Sequence, residues 1–459
     1  MKSYLLIEKK GCYYLVSLRH KMVLNISKIL FNLININEIN KNQNNIFYLT
    51  QKKIPEKILI KEFQNQLKKY NILKENRFFE PFPLPLFQCE VLPHQIKAKS
   101  IKNDVQLVFE STFLCNLSCT YCCYGKYYTL PARKNKKMDF EIAKKAIDYV
   151  INWRKEQSNL FSIGFYGGEA LLSIEFIQSV VNYCESIKAQ NDISFLYDIT
   201  TNGVLLDKYF EYLVENNFKI AISLDGNQFN NSFRVFENLN ESYPIVFKNI
   251  SLIREKYPDF YKKNVSFQTV RHKRNRGFNL DKYFEETFQK KTLISDVRFE
   301  DLKSSNKDDF YKIIADNTTS FTNNPLYKIR KFFDFFYSTP FFWVENESVN
   351  IKRPSDTCLP FQAKVFITTD GEILPCEQIG SEYNFGIIDE SGVHLDFEKL
   401  AKKYTKYFKK LVKSCSTCYK HSYCSECVFK TGINNPKYSK CTEYIGIYNL
   451  KKIFTKIIH

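Results

Sequence analysis

Residues 105–125 read VQLVFESTFLCNLSCTYCCYG. The apolar start of this stretch is typical of a buried strand, and Cys115, Cys119 and Cys122 follow it in C-x3-C-x2-C spacing. A loop of this length brings three thiolates onto one small centre of soft metal. On an iron–sulfur cube, three protein thiolates leave the fourth iron without a protein ligand. The stretch therefore predicts a metal centre with one position open to a substrate or cofactor.

Composition limits what the rest of the chain can be. Its 459 residues favour two or three domains, and an apolar share of 44% is that of a globular protein. No apolar run reaches the length of a membrane span, and the first 25 residues lack the apolar middle of a signal peptide. We therefore predict a cytoplasmic protein with no membrane partner.

The net charge of +18 has several possible meanings: a nucleic-acid partner, an anionic surface or an acidic peptide. Biased composition also accounts for it, because Lys, Asn, Ile, Phe and Tyr are abundant together. No basic helix with a nucleic-acid-binding signature is present in the sequence. We predict no nucleic-acid partner, and an anionic peptide stays open.

The 14 cysteines are unevenly distributed, with three in the opening loop and seven between Cys358 and Cys441. In a cytosolic protein such groups favour metal binding over disulfides. The other four are interpreted as small buried apolar residues: Cys12, Cys89, Cys123 and Cys184.

The first 95 residues form a region without catalytic residues. Tyr4–Ile7 and Cys12–Ser17 flank Lys10-Gly11 and predict a hairpin, and helical patterns follow at Ile26–Leu33 and Glu56–Tyr70. Prolines at 81, 83 and 85 indicate an extended linker. The region is either a packing appendage or a docking module for a peptide substrate, and its patterning leaves both open.

Strand and helix patterns alternate between residues 105 and 300, the core of a domain predicted at 103–300. Six strands with helical crossovers favour a parallel sheet curled into a partial (β/α)6 barrel of the TIM type, an α/β fold. In such barrels the chemistry lies on loops after the carboxyl ends of strands, where the cysteine loop is. The predicted strands are Val105–Glu110, Ser162–Tyr166, Phe195–Thr200, Lys219–Leu224, Val265–Val270 and Val297–Glu300, and the predicted helices are Asp139–Lys155, Ile174–Ala189, Asp207–Asn216 and Asn279–Lys290.

Small and polar residues follow three of these strands. Gly167, Gly168 and Glu169 end the second strand, where glycines permit close approach of the backbone to a ligand and a carboxylate suits an ammonium group. The segments TTNG (200–203) and SLDG (223–226) end the third and fourth strands and suit a ribose hydroxyl or a carboxylate. Each segment also fits an ordinary turn leading into a helix.

The seven C-terminal cysteines follow a bridge at 301–357, in which Tyr327–Tyr337 has a helical pattern. They lie within a domain predicted at 358–450. Two C-x2-C pairs suit a four-cysteine zinc site with three ligands left over. The seven equally suit two iron–sulfur clusters, one closed and one with an open position. The residues are Cys358, Cys376, Cys415, Cys418, Cys424, Cys427 and Cys441.

With Tyr121 before the last cysteine of the loop, the chain resembles the radical S-adenosylmethionine (radical SAM) superfamily. The resemblance implies that Cys115, Cys119 and Cys122 hold a [4Fe-4S] cluster that binds SAM. It also implies a SAM pocket formed by Tyr121, Gly167, Gly168, Glu169, Asn202, Ser223 and Asp225.

The C-terminal cysteines resemble the SPASM domain of peptide-modifying radical SAM enzymes, whose pattern includes Gly371. Two residues separate Cys424 and Cys427 where the family has three. The resemblance implies an outer auxiliary cluster on Cys415, Cys418, Cys424 and Cys441. An inner auxiliary cluster would lie on Cys358, Cys376 and Cys427. One of its irons would lack a protein ligand, because the sequence offers no fourth cysteine for it. Glu377 stands where relatives place a carboxylate that accepts a proton.

The resemblance implies a maturase that cleaves SAM to a 5′-deoxyadenosyl radical and modifies a ribosomally synthesised precursor peptide, with flavodoxin or ferredoxin as electron donor. Residues 1–95 would bind the leader of that peptide. One alternative is maturation of a sulfatase by oxidising its Cys or Ser to formylglycine. Another, from a different class, is a non-catalytic zinc-binding adaptor.

Overall fold

The computed structural model describes residues 1–39, 58–82, 84–96, 106–128, 135–154, 159–297, 302–306, 309–310, 353–355, 359, 364–419, 421, 424, 426–429, 431–433, 440–441 and 444–458. They fall into two compact units, the first with Met1–Glu90 and Thr405–His459, the second with Val91–Ser320 and Cys358–Tyr404. The helical pattern predicted at Tyr327–Tyr337 lies outside the described residues. The four domain ranges stay predictions.

The first unit begins with an antiparallel sheet in the order β1-β2-β3. The predicted hairpin is confirmed: Lys10 and Gly11 have φ angles of 53° and 77°, the positive values that a tight type I′ turn requires. The third strand was not predicted. The elements are β1 (Tyr4–Lys9), β2 (Cys12–Ser17), β3 (Met22–Ile26), α1 (Lys28–Ile39) and α2 (Ile58–Glu75).

Both faces of this small sheet are covered. Tyr4 and Leu6 pack with residues of α1 and with Phe78, whereas Leu5 and Ile7 pack with residues of the last helix, Ile447–Ile457. Since successive side chains of a strand point to opposite faces, a strand covered on both sides is apolar at every position. This explains the unbroken run YLLI.

The second unit is organised around a ten-stranded sheet, six of whose strands are parallel neighbours in chain order. The predicted α/β barrel-type sheet is confirmed. The parallel strands are β4 (Gln106–Thr112), β5 (Leu160–Gly167), β6 (Ser194–Thr201), β7 (Lys219–Ser223), β8 (Val265–Arg271) and β9 (Thr292–Asp296). The helices between them are α3 (Phe140–Arg154), α4 (Ile174–Asn191), α5 (Leu206–Glu215), α6 (Gln228–Asn231), α7 (Tyr243–Lys256), α8 (Pro258–Asn264) and α9 (Leu280–Phe288).

The sixth strand was predicted in the wrong place. β9 pairs with β8 from Thr292 to Asp296 and ends before Val297, where the predicted strand began. Val297 is buried by side-chain packing with Tyr128 and Phe310, which produces an apolar pattern without strand pairing. Residues 298–300 lie outside the described part of the chain.

Helices α7 and α8 were not predicted, although each has a proline in its first turn, where the missing N–H costs no hydrogen bond.

The C-terminal cysteine region contributes strands to the same sheet. β10 (Lys364–Ile367) pairs in parallel with β4, and β11 (Glu372–Leu374), β12 (Gly386–Asp389) and β13 (Gly392–Leu395) continue antiparallel beyond it. α10 (Phe397–Cys415) follows. This extension of the sheet was not predicted, because the sequence pattern of a strand does not indicate which other strand it will pair with.

Within the described residues, no helix has both the length and the apolar character that crossing a membrane requires.

Candidate iron–sulfur site

The cysteine loop starts directly after Thr112, the last residue of β4. Its turns are held by backbone hydrogen bonds from Cys122 to Cys119 (3.0 Å) and from Gly125 to Cys122 (2.8 Å). The Sγ of Cys115 accepts from the backbone N–H of Leu117 at 3.4 Å and from the Nδ2 of Asn202 at 3.7 Å. The loop thus presents half-buried sulfur atoms at the carboxyl end of the sheet, as predicted for its position.

The three thiols of the loop influence one another. Burial is the main cause that raises the pKa of the Cys119 thiol to about 12; the sulfur atoms of Cys122 and Cys115 raise it too, and the Arg234 guanidinium acts in the opposite direction. A thiol whose ionisation is disfavoured by burial and by two neighbouring sulfur atoms suits a positively charged iron centre, which stabilises thiolates. The donor set therefore fits an iron–sulfur cluster.

Within the described part of the chain, no three His, Cys, Asp or Glu side chains converge closely enough to hold one metal ion.

Gly167 and Gly168 approach the protein's own backbone. A Cβ atom on Gly167, whose φ is 138°, would lie 2.3 Å from the carbonyl oxygen of Thr112. One on Gly168 would lie 2.2 Å from that of Leu114. The backbone N–H groups of Gly168 and Glu169 donate to Thr112 and Leu114, both at 2.8 Å. The end of β5 is therefore packed directly against the segment that leads into Cys115.

Glu169 is buried, and its carboxylate joins several strand ends. It accepts from the Thr201 hydroxyl (2.7 Å), the Asn202 backbone N–H (2.7 Å) and the Leu171 N–H (3.1 Å). Burial raises the pKa of this carboxyl, and the three donors oppose that rise. In the described structure its oxygens are thus bound to protein donors.

Asn202 and Ser223 lie at the carboxyl ends of β6 and β7. The Nδ2 of Asn202 donates to the Oδ1 of Asn116 at 2.7 Å as well as to Cys115, so this side chain touches the cysteine loop. Ser223 is half-buried and ends β7. The structure thus brings Asn202 to the cysteine loop and places Ser223 at the end of the neighbouring strand.

Asp225 and Tyr121 lie together in a buried polar group. Asp225 has no exposed surface and accepts from the Tyr121 hydroxyl, from Arg234 at 2.9 and 3.1 Å, and from the Val270 backbone N–H at 2.9 Å. Burial alone would raise the pKa of Asp225, but the Arg234 charge and the His272 ring hold it well below its usual range. Arg234 and His272 were not singled out by the sequence, because their role depends on this pairing.

Glu110 was also missed by the sequence. It lies on β4, is 2% exposed, and accepts from the backbone N–H of Thr369 at 3.0 Å and the Tyr124 hydroxyl at 3.4 Å. Burial raises its pKa to about 7. It joins the cysteine loop to the turn after β10.

Glu377 is partly buried next to Cys376. Both of its carboxylate oxygens contact the Nζ of Lys364, at 3.2 and 3.0 Å. The candidate proton acceptor is thus an ion-paired carboxylate.

The C-terminal cysteines predicted as outer-cluster ligands lie together in the first unit. Burial is the main cause that raises the pKa of Cys415 to about 12, and Cys418, Cys424 and Cys441 each raise it further. Cys89 acts on Cys415 in the same way, so the interpretation of Cys89 as an isolated apolar residue missed this neighbour. The four cysteines fit the donor set of one cluster.

The inner set is less fully described. Cys358 lies outside the described residues, while Cys376 belongs to the second unit and Cys427 to the first. This set stays a prediction.

The fold and the cysteine loop define an α/β barrel protein of the iron–sulfur class. Residues 109–273 match the family model of the Radical SAM superfamily. Residues 109–273 of this chain thus form a radical SAM domain, the domain of iron–sulfur enzymes that use a [4Fe-4S] cluster and SAM, and the C-terminal end of the chain is rich in cysteine.

Three curated relatives are similar in sequence. An uncharacterized protein of Methanocaldococcus jannaschii is 37% identical over 29% of this chain and 42% of its own length. The cysteine-type anaerobic sulfatase-maturating enzyme of Clostridium novyi is 25% identical over 63% of this chain and 78% of its own. The serine-type anaerobic sulfatase-maturating enzyme of Bacteroides thetaiotaomicron is 31% identical over 31% of this chain and 34% of its own length. The chain thus spans less than half of two of these relatives.

Two solved structures share the fold. "Native anSMEcpe with bound AdoMet" has a TM-score of 0.51 and 18% identity and covers 77% of this chain and 95% of its own. The same protein with AdoMet and the Cp18Cys peptide has a TM-score of 0.50 at 18% identity and the same coverage.

Proposed function

We propose that this protein is a radical SAM peptide maturase that modifies a ribosomally synthesised precursor peptide. The observation that carries the proposal is the group of Cys115, Cys119 and Cys122 on the loop after β4, next to the ends of β5 and β6. When bound there, a reduced [4Fe-4S] cluster supplies the electron that splits SAM into methionine and a 5′-deoxyadenosyl radical, which takes hydrogen from the substrate.

The chain's own residues hold and shield this centre. Cys115, Cys119 and Cys122 would bind three irons, and the N–H groups of Leu117 and Asn202 would stabilise the Cys115 sulfur. Tyr121, Gly167, Gly168, Glu169, Asn202, Ser223 and Asp225 remain the proposed surroundings of SAM. Glu169 and Asp225 would act there by holding strand ends, because their oxygens are bound to protein donors.

Auxiliary clusters are proposed on the C-terminal cysteines. Cys415, Cys418, Cys424 and Cys441 would hold the outer one, supported by their mutual effect on the pKa of Cys415. Cys358, Cys376 and Cys427 are proposed for the inner one from the sequence pattern alone. Flavodoxin or ferredoxin is proposed as electron donor.

Glu377 is proposed to accept a proton from the substrate. Its carboxylate is ion-paired with the Lys364 ammonium group at 3.0 Å, which fixes its position next to Cys376. Glu377→Gln should lose product formation while retaining SAM cleavage, and Glu390→Gln, at an exposed position, should retain both. If Glu377→Gln forms product at the normal rate, the role is wrong.

The substrate class follows from two features beyond the barrel. The net charge of +18 suits an acidic peptide, and the three-stranded sheet with α1 and α2 is proposed as the module that binds its leader. Relatives described as sulfatase-maturating enzymes, and the solved structure with a bound peptide, support a peptide substrate.

The test is coexpression with the short peptide encoded beside the gene, followed by mass spectrometry of that peptide. We expect a mass change that depends on Cys115 and production of 5′-deoxyadenosine. An unmodified peptide together with absent SAM cleavage would refute the proposal.

A second candidate is sulfatase maturation, favoured by the similarity to the Clostridium novyi and Bacteroides thetaiotaomicron enzymes. Incubation with a sulfatase-derived peptide containing Cys or Ser distinguishes the two. A hydroxylamine-reactive aldehyde in that peptide would favour this candidate, and modification of the neighbouring peptide alone would favour the first.

A further inference from the structure

The segment Phe233–Val235 runs alongside the cysteine loop. The backbone N–H of Ser118 donates to the carbonyl of Val235 at 2.6 Å, and that of Thr120 donates to Phe233 at 2.9 Å. These two hydrogen bonds place Arg234 beside Cys119. The Arg234 guanidinium lies over the neighbouring Tyr121 ring, 5.6 Å from its centroid.

Arg234 cannot lie there uncompensated, because burial of an unpaired charge is costly. Its Nε and Nη2 donate to the two oxygens of Asp225 at 2.9 and 3.1 Å, a two-point contact that fixes the guanidinium plane. Arg234 is 8% exposed and Asp225 0%. The pair therefore forms a rigid charged group next to Cys119.

The same carboxylate also holds the loop from a second side. The Tyr121 hydroxyl donates to Asp225, and the Tyr121 ring stacks on His272 with centroids 5.3 Å apart. His272 in turn places its Nε2 3.3 Å from Asp225. The Asp225 carboxylate thus contacts Tyr121 of the loop as well as Arg234 beside it.

We propose that Asp225 and Arg234 are positioning residues that hold the middle of the cysteine loop as a balanced ion pair, so that the loss of either single charge shifts the reduction potential of its cluster. This role requires a cluster on Cys115, Cys119 and Cys122, as proposed above. Reduction adds a negative charge to the cluster, so a nearby positive charge favours it and a nearby negative charge opposes it.

An effect of charge and a purely structural effect predict different changes of the reduction potential when Arg234 or Asp225 is replaced. Arg234→Gln removes the positive charge and leaves Asp225 unpaired, which should lower the potential. Asp225→Asn removes the negative charge and leaves the guanidinium, which should raise it. If the two residues had a purely structural role, both substitutions would shift the reduction potential in the same direction.

The experiment is redox titration of the anaerobically purified full-length protein, followed by electron paramagnetic resonance. The signal that changes when SAM is added identifies the cluster on the loop. Each single substitution should change the ratio of reduced to oxidised cluster at a fixed potential about tenfold, in opposite directions, which is about 59 mV for a one-electron couple. Arg234→Lys, which keeps the charge, and the neutral pair Asp225→Asn with Arg234→Gln should both stay near wild type.

Shifts in the same direction, or unchanged potentials at wild-type iron content, overturn the proposal. If a single substitution removes the iron, the neutral pair decides: restored iron and potential support the role of charge balance, and a missing cluster overturns it. Loss of SAM binding at an unchanged potential also overturns it. Wild-type protein without a SAM-responsive signal would instead defeat the proposed function.

Discussion

Gly168 lies against the carbonyl group of Leu114, the residue directly before Cys115. Its backbone N–H donates to Thr112 at 2.8 Å, and an added Cβ would stand 2.2 Å from the Leu114 oxygen. A Cβ atom and a carbonyl oxygen that are not bonded cannot approach to that distance, so a side chain at 168 displaces the start of the cysteine loop. The glycine is needed for packing between two strand ends.

Gly168→Ala should therefore destabilise the second unit by about 3 kcal/mol and reduce the iron bound by the loop. The measurement is thermal unfolding together with iron content. Gly277→Ala is the matched control, because its φ of 73° is strained but nothing lies within 4 Å of the added atom. Equal losses in both variants would contradict the packing explanation.

Replacing Cys115, Cys119 or Cys122 with Ala should abolish formation of 5′-deoxyadenosine, because the cluster loses one of three thiolates. About four irons per chain should be lost with it. Cys123 is next to Cys122 and packs against the apolar cluster that includes Tyr121 and Phe310. Cys123→Ala should therefore retain both the iron and the formation of 5′-deoxyadenosine. Retained SAM cleavage in a Cys119 variant would contradict the assigned ligand set.

Replacing Cys415 or Cys441 with Ala should remove about four irons and destabilise the first unit, while SAM cleavage without product formation persists. The reason is that these residues lie in a different compact unit from the cysteine loop. Iron analysis and 5′-deoxyadenosine assays on the same samples measure both effects. Cys12 supplies the control substitution, because it is exposed and its interpretation as a buried residue was wrong. Unchanged iron in the Cys415 variant would refute the role of Cys415.

Glu110 should make stability depend on pH. Burial raises its pKa from 4.5 to about 7, so the folded protein binds more protons than the unfolded chain between these values. Stability should fall as pH rises through that window and level off above it. Between pH 5.5 and 7 the loss is about 2 kcal/mol.

Glu110→Gln mimics the neutral carboxyl, so its stability relative to wild type should increase as pH rises from 5.5 to 8. Thermal unfolding at several pH values measures this difference, with Glu390→Gln as an exposed control. A constant difference between wild type and Glu110→Gln would show that Glu110 does not titrate in this range.

Much of the fold follows from local sequence. The apolar run before Cys115 predicts β4, and the polar residues at 200–203 and 223–226 mark the ends of β6 and β7. Lys10-Gly11 predicts the first hairpin because only a few residues adopt positive φ readily. These features depend on neighbours in the chain, so the sequence alone determines them.

Partners distant in sequence were decided by the tertiary structure. Sequence patterns do not pair Glu110 with Thr369, 259 residues away, or place β10 beside β4. The order of strands in a sheet depends on which packing buries the most apolar surface across the whole unit, and no local pattern records it.

The same division holds at the site. The spacing of Cys115, Cys119 and Cys122 determined a three-thiolate loop, because a short loop limits where its sulfur atoms can lie. That Asp225 binds Arg234 beside Cys119, and that Glu169 binds Thr201 and Asn202, depended on the tertiary structure. A buried carboxylate takes whichever donors the packing brings to it, and burial forces it to take them.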